Sequence, residues 1–250
     1  MKIATLNTWK QDGPFKERWQ FLIAELARLD PDILCLQEVF EPTLFEKIKM
    51  ETPLLCGIAH HNAGLATLSK LPIVSSEVLK YKTVSQLENE TRSVLLATLQ
   101  IGQETIPIAN THLSWRSEDG SVRLGQTREL IEAMHKLKQP GLLAGDFNDM
   151  PKGDPIKEIK KAGYVDVYDL CNEAAEGITW DNQNPFIQGH SVKFSDRRID
   201  FLFMHKNLLS AFKVQHCEII FKQPNEKGIY VSDHYGVLTE INLRSGNLSS

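Results

Sequence analysis

The sequence predicts an α/β protein built from mixed β-sheets with helices packed over them. Three observations carry this reading. Short apolar runs of strand length recur along all 250 residues. Amphipathic helical stretches interrupt them at only a few places. Strand-like runs also follow one another directly, which a pure βαβ repeat does not do.

In order along the chain, Ile3 to Trp9 reads as a buried strand. Trp19, Leu22, Ile23, Leu26 and Leu29 then recur at helical spacing, and Pro31 ends that helix. Asp32 to Gln37 is a second buried strand, and Phe40 to Met50 a helix with its cap expected near Thr43. Leu54 to Leu79 reads as short strands with a turn at Leu71-Pro72. Ser93 to Ile101 and Thr105 to Leu113 form a hairpin pair. Leu130, Ile131, Met134 and Leu137 mark a second long helix, broken at Pro140-Gly141 before the strand Leu142 to Gly145. Ile199 to Met204, Phe212 to Phe221 and Gly236 to Leu243 supply further strands. With neither repeat nor linker, one domain over 1–244 is expected, followed by a frayed tail over 245–250.

Composition narrows the class. Hydrophobic residues make up 42% and charged residues 24%, which argues against disordered and disulfide-scaffold chains. The net charge of −4 argues against a broad cationic groove for non-specific DNA binding. The cysteines Cys35, Cys56, Cys171 and Cys217 form no Cys-x-x-Cys motif, and Cys35, inside an apolar run, is expected as a small buried hydrophobe. No signal peptide and no stretch of membrane-spanning length is visible, so a reduced, cytoplasmic chain is expected.

One pattern rises above this background: apolar strands end in residues able to bind a metal or handle a proton. Asn7, Glu38, His112, and Asp146 with Asn148 each follow such a run; Asp200 and Asp233-His234 open two others. If those last two strands run antiparallel to the others, all these side chains lie along one edge, where open α/β sheets place ligands. Taken singly, each has an ordinary explanation: a surface carboxylate, a structural histidine, a Gly-Asp-Asn turn. Together they suit phosphate chemistry. Carboxylate and amide oxygens make a hard site appropriate to Mg²⁺, and no His/Cys cluster has the spacing zinc takes. His234 could move a proton near neutral pH, with Asp200 holding its tautomer.

The motifs Leu6-Asn7-Thr8-Trp9, Leu36-Gln37-Glu38-Val39, Asn110-Thr111-His112-Leu113, Gly145-Asp146-Phe147-Asn148, Arg198-Ile199-Asp200-Phe201 and Ser232-Asp233-His234 occur in the order expected of the endonuclease/exonuclease/phosphatase superfamily. The resemblance runs from about Ile3 to Leu243. It implies a four-layer sandwich, two mixed β-sheets face to face with helices outside, and Mg²⁺- or Mn²⁺-dependent cleavage of phosphoesters. By position, Glu38 resembles the principal metal ligand, with Asn7 and Asp233 nearby. Asp146 and Asn148 resemble the pair that orients the attacking water and the phosphate. His234, buttressed by Asp200, resembles the catalytic histidine, and His112 the second histidine beside the phosphate.

Substrate hints are sparser. Trp180 and Trp115 could stack on a base or an aromatic leaving group, or be core and rim tryptophans. Arg197-Arg198 could clamp a phosphate bidentately or be a solvated pair, and Arg92 has the same two readings; Arg198, Trp180 and Arg92 are the expected substrate contacts. The leading expectation is a phosphodiesterase or nuclease-type enzyme acting as a monomer on a phosphoester, nucleic-acid ends included. The alternatives are a phosphomonoesterase acting on a sugar or inositol phosphate and a catalytically silent binding module of the same fold.

Overall fold

A computed structural model describes residues 1–173 and 175–244; the tail expected over 245–250 lies outside the described residues. In chain order the elements are β1 (Lys2–Asn7), α1 (Phe15–Leu29), β2 (Ile33–Gln37), α2 (Pro42–Glu51), β3 (Cys56–His60), β4 (Leu65–Ser69), β5 (Ile73–Lys80), β6 (Ser93–Ile101) and β7 (Glu104–His112). They continue as α3 (Gly120–Lys136), β8 (Leu142–Asp146), α4 (Asp154–Lys161), β9 (Tyr164–Asp166), α5 (Val167–Cys171), β10 (Asp200–His205), β11 (Phe212–Ile220) and β12 (Gly236–Leu243).

The strands form two mixed sheets of six, ordered β11-β12-β1-β2-β4-β3 and β5-β6-β7-β8-β10-β9. The two-residue alternation of strands sorts their side chains into three apolar layers. On β1 and β2, Ala4, Leu6, Leu34 and Leu36 face outward onto the Trp19, Leu22 and Leu26 stripe of α1. Ile3, Ile33 and Cys35 face the other way, into the space between the sheets, where Leu142, Ala144, Leu202 and Met204 meet them. Leu143, Phe201 and Phe203 point out of the second sheet onto Leu130 and Met134 of α3 and Ile156 and Ile159 of α4. Two sheets back to back with helices outside is the sandwich the resemblance implied.

Cys35 is fully buried between the sheets, as expected. The cap expected near Thr43 is displaced: α2 starts at Pro42, with Glu41 at the N-cap making no side-chain hydrogen bond. Proline's missing N–H costs nothing in the first turn and its fixed φ favours the helix, so Pro42 sets the start. The helix α4 and the short β9–α5 unit were not anticipated.

Strand direction places the chemistry. β1 and β2 are parallel and β12 is antiparallel to β1. β7 and β8 are parallel and β10 is antiparallel to β8. The ends carrying Asn7, Glu38, His112 and Asp146, and the starts carrying Asp200 and His234, therefore share one edge of the sandwich.

Candidate active site

In the second sheet, register aligns three of the polar strand-end residues. His112 pairs with Asp146 across β7 and β8, and Asp146 with Asp200 across β8 and β10. This close row needs Gly145 at φ +143°, because a Cβ there would lie 2.0 Å from the Thr111 carbonyl oxygen. The sheets are tied just behind the site by a buried amide pair. Gln37 Nε2 donates to Asn110 Oδ1 (2.7 Å), and Asn110 Nδ2 donates to the Leu36 and Ala66 carbonyls.

Asp146 Oδ2 is the focus of the cleft. Asn7 Nδ2 donates to it at 3.0 Å, while His112 Nε2 lies 3.4 Å and His234 Nε2 3.9 Å away. The Asn148 backbone N–H donates to Asp146 Oδ1 (2.9 Å), and the Asn148 amide is anchored on the Leu113 carbonyl. His234 Nδ1 meets Asp200 Oδ2 at 3.0 Å. Asp233 accepts from Ser232 Oγ (3.1 Å) and lies 2.9 Å from His190 Nε2. These groups line one cleft together with Trp9, Lys10, Glu38, Arg92, Trp115 and Trp180.

The two histidines are electrostatic opposites. Arg92 Nη1 lies 3.1 Å from His112 Nδ1. A guanidinium only donates, so Nδ1 is the acceptor and the His112 proton sits on Nε2, facing Asp146. Burial, reinforced by Arg92, holds the His112 pKa well below the usual histidine value, so the ring is neutral. Burial alone would also lower His234. The carboxylates Asp200, Asp146 and Asp233 outweigh it and raise His234 well above the ordinary value, so it carries its proton at neutral pH. Burial and the charge of Asp200 raise the Asp146 carboxyl.

Glu38 is unlike its neighbours. It follows β2 at φ +62°, a left-handed conformation that turns the chain out of the strand. Among the described residues no donor lies within hydrogen-bond or ion-pair reach of its carboxylate. Burial and the Asp233 charge push its pKa up, against the weaker pull of Lys10, His234 and Arg92. An uncompensated carboxylate beside a second one is what a hard divalent cation satisfies. Asp146, Asp200 and His234 form another group able to hold a cation, with ligand atoms within 4.8 Å of one another. In that group, however, Asp200 Oδ2 and His234 Nδ1 already satisfy each other. Asp200 keeps only Oδ1 without a partner, whereas among the described residues neither carboxylate oxygen of Glu38 has one, so Glu38 fits a cation better.

Arg92 and Trp180 reach the cleft, Arg92 being braced by Glu88 (2.8 Å) and Glu90 (3.4 Å). Trp180 is 7% exposed and packs edge-on against His234 and His190. Arg198 does not line the cleft. It is buried between the Tyr168 and Phe201 rings, ion-paired with Asp166 (2.8 Å) and Asp169. The expectation that it contacts substrate is corrected: both its charge and its stacking faces are taken. The preceding Arg197 lines the cleft instead.

Two further residues build the site without having been singled out. His190 touches Asp233 and stacks edge-on to Trp180. Arg18, 0% exposed, spends its guanidinium on five backbone carbonyls: Thr8, Trp9, Lys10, Asp12 and Val231. It fixes the loop after β1, where Trp9 and Lys10 adopt φ +54° and +44°, to the chain just before Ser232-Asp233-His234. Its spacing of four from Leu22 and eight from Leu26 put it on the buried face of α1, a signal readable in the sequence. No comparable pattern marked His190, which sits in an irregular loop.

Acidic oxygens gathered around one neutral and one charged histidine, under a rim of arginine, lysine and tryptophan, define a hydrolase of phosphoric esters. The chain belongs to the Endonuclease/Exonuclease/phosphatase family, whose model matches residues 4–234. It is 30% identical over 256 residues to Protein angel of Drosophila melanogaster, covering 89% of this chain and 71% of that protein. It is 29% identical over 294 residues to the inositol phosphosphingolipids phospholipase C of Schizosaccharomyces pombe, covering 98% and 69% respectively. Other curated relatives are matched over only 30% and 33% of their length. Among solved structures, TDP2 of D. rerio complexed with a single-strand DNA product aligns with a TM-score of 0.78 at 19% identity, covering 97% of this chain and 98% of that one. Among the described residues no helix is long and apolar enough to cross a membrane.

Proposed function

We propose that the chain is a divalent-cation-dependent phosphodiesterase, and that Mg²⁺ or Mn²⁺ is held by Glu38 with Asn7 and Asp233 beside it. The observation that carries the reading is the uncompensated Glu38 carboxylate next to Asp233, in the same cleft as the Asp146–His234–Asp200 group. When bound, the cation neutralises a phosphate oxygen and lowers the pKa of a bound water.

The protein's own groups do the rest. Asp146, its carboxyl raised toward basicity, orients the attacking water through Oδ2 and takes its proton. Asn148 holds Asp146 through its backbone N–H and lies beside the phosphate. His234, kept charged by Asp200, presents Nε2–H to the phosphate, and neutral His112 presents a second Nε2–H. Two donors of different charge facing one carboxylate bracket an anionic phosphorus centre as negative charge grows on its oxygens. Arg92 fixes the His112 tautomer.

A diester preference is supported by the names of two similar proteins, a phospholipase C and TDP2 holding a DNA product. The test is a panel assayed with Mg²⁺ or Mn²⁺: single- and double-stranded DNA, RNA, 5′-tyrosyl-DNA, sphingomyelin, and inositol and sugar monophosphates, with Glu38→Ala as control. Turnover of at least one diester, lost in Glu38→Ala, is expected. Cleavage of monoesters alone would replace the diesterase by a monoesterase, and turnover of nothing would leave a binding module.

A further inference from the structure

The cations that line the cleft are not equivalent. Lys10 is bound to Glu90 (3.2 Å), and Arg92 is bound to both Glu88 and Glu90. Their charges are spoken for inside the protein. Among the described residues, Arg197 is the cleft cation with no carboxylate within ion-pair distance. Its Nε donates to the Ser195 carbonyl (3.2 Å) and its Nη2 is closed off from solvent, which leaves Nη1 as the donor that a cleft ligand can reach.

A guanidinium that lines a cleft without a carboxylate partner keeps its charge available to an anion bound there. The group is also held still. Its guanidinium carbon lies 3.7 Å from the Phe194 ring centroid, a cation–π stack that fixes the plane of the fork. Its backbone pairs with Trp180: Arg197 N donates to Trp180 O (3.0 Å), and Trp180 N donates back (2.9 Å). Trp180 is in turn backbone-paired to His234. A rigid ladder of three residues therefore sets the distance between the free guanidinium and the His234 imidazole. Arg197 and Asp146 line the same cleft.

We propose that Arg197, stacked on Phe194, forms a second anion subsite of the cleft, which takes a phosphate of the substrate other than the one placed over Asp146. The inference rests on the phosphoesterase reading and narrows it. The preferred substrate carries two phosphate groups, as an oligonucleotide or a sugar bisphosphate does, and not a lone phosphate with a neutral or cationic remainder. A guanidinium held by a ring stack loses little freedom when it binds a phosphate oxygen.

Calorimetric titration of the intact protein, with Ca²⁺ present, tests the subsite without turnover. The probes are adenosine 5′-monophosphate against adenosine 3′,5′-bisphosphate, and glucose 6-phosphate against glucose 1,6-bisphosphate. In wild type the bisphosphate of at least one pair binds tenfold or more tightly than its monophosphate. In Arg197→Ala that ratio falls to within about twofold of unity, and Arg197→Lys, which keeps a point charge without the fork, restores part of it. The pair that shows the preference identifies the nucleotide or the sugar as the source of the second phosphate. Equal ratios in wild type and Arg197→Ala, or no bisphosphate preference in wild type, would overturn the subsite. Hydrolysis of bis(p-nitrophenyl) phosphate with Mn²⁺, run in parallel on wild type, reports separately on the phosphodiesterase reading, since this diester has no second phosphate.

Discussion

Arg18→Met should be among the most damaging substitutions outside the cleft, and its cost can be built from the hydrogen bonds it removes. The guanidinium satisfies five carbonyls, and its bonds to Thr8 and Val231 are fully buried, at 2.9 Å each. Stranding a buried acceptor costs about 1–3 kcal/mol, so these two alone give about 2–6 kcal/mol. Removing a desolvated charge offsets some of this; burial lowers the Arg18 pKa to about 10, against the attraction of Asp233, Asp12 and Glu38. A net loss of about 2–5 kcal/mol remains, a large share of the ~5–15 kcal/mol that holds a typical domain together. At ~2–4 °C per kcal/mol for a chain of this size, the melting temperature should fall by at least ~4 °C.

The same substitution should reach the chemistry. Trp9 and Lys10 sit in left-handed conformations that cost of order 1–3 kcal/mol each and persist only while the surroundings enforce them. Without Arg18 the loop relaxes, and Trp9 no longer packs 4.8 Å from Phe186 at the cleft wall. Urea denaturation with steady-state kinetics on a diester measures both effects. The expected result is the stability loss together with a raised KM and a lowered kcat, partly rescued by Arg18→Lys. A loss below 1 kcal/mol, or a full stability loss with unchanged kinetics, would refute the reasoning.

Three other outcomes follow from the same geometry. Glu38→Gln should raise the stability of the metal-free protein at neutral pH, because it removes a charge that burial and Asp233 disfavour. It should also abolish the Mn²⁺-induced stabilisation of ~2.7 kcal/mol expected for wild type at a hundred times Kd; thermal melts with and without Mn²⁺ check both signs. Arg198→Met should cost about 3–5 kcal/mol in urea denaturation by leaving Asp166 buried without its partner, while KM changes less than twofold. Burial alone would raise the Glu129 carboxyl, but hydrogen bonds from Thr83 Oγ1 and the Lys82 and Thr83 N–H groups outweigh it and lower its pKa. Its contribution is therefore present above its ordinary value of 4.5 and lost as pH falls through the depressed one. The stability gap between wild type and Glu129→Gln should narrow in melts run from pH 7 down to 3.5.

The polar ends of the strands were legible in the sequence because the strands are buried. A run such as Leu142-Leu143-Ala144-Gly145 leaves the first polar residue after it, Asp146, only the sheet edge to occupy. The direction of β10 and β12 was the missing premise, and pairing supplied it. Arg198 shows why such reading stops short. Its partners Asp166 and Asp169 lie 32 and 29 residues away in the β9–α5 unit, too short a segment to announce itself by periodicity. Nothing in the dipeptide Arg197-Arg198 tells which guanidinium turns inward. Arg18 was readable from its place on the α1 stripe, but a charged residue between a glutamate and a tryptophan passes for a solvated one. His190 could be found only once the loop carrying it was seen to close over Asp233.

Hydrolysis of bis(p-nitrophenyl) phosphate as a function of divalent cation is the most direct measurement. Wild type should be inactive in chelator and recover with Mn²⁺ or Mg²⁺, and Glu38→Gln should fail to recover at any concentration of either ion. Turnover that persists in chelator, or that Glu38→Gln retains undiminished, would contradict the assignment of this cleft as a cation-dependent phosphodiesterase centre.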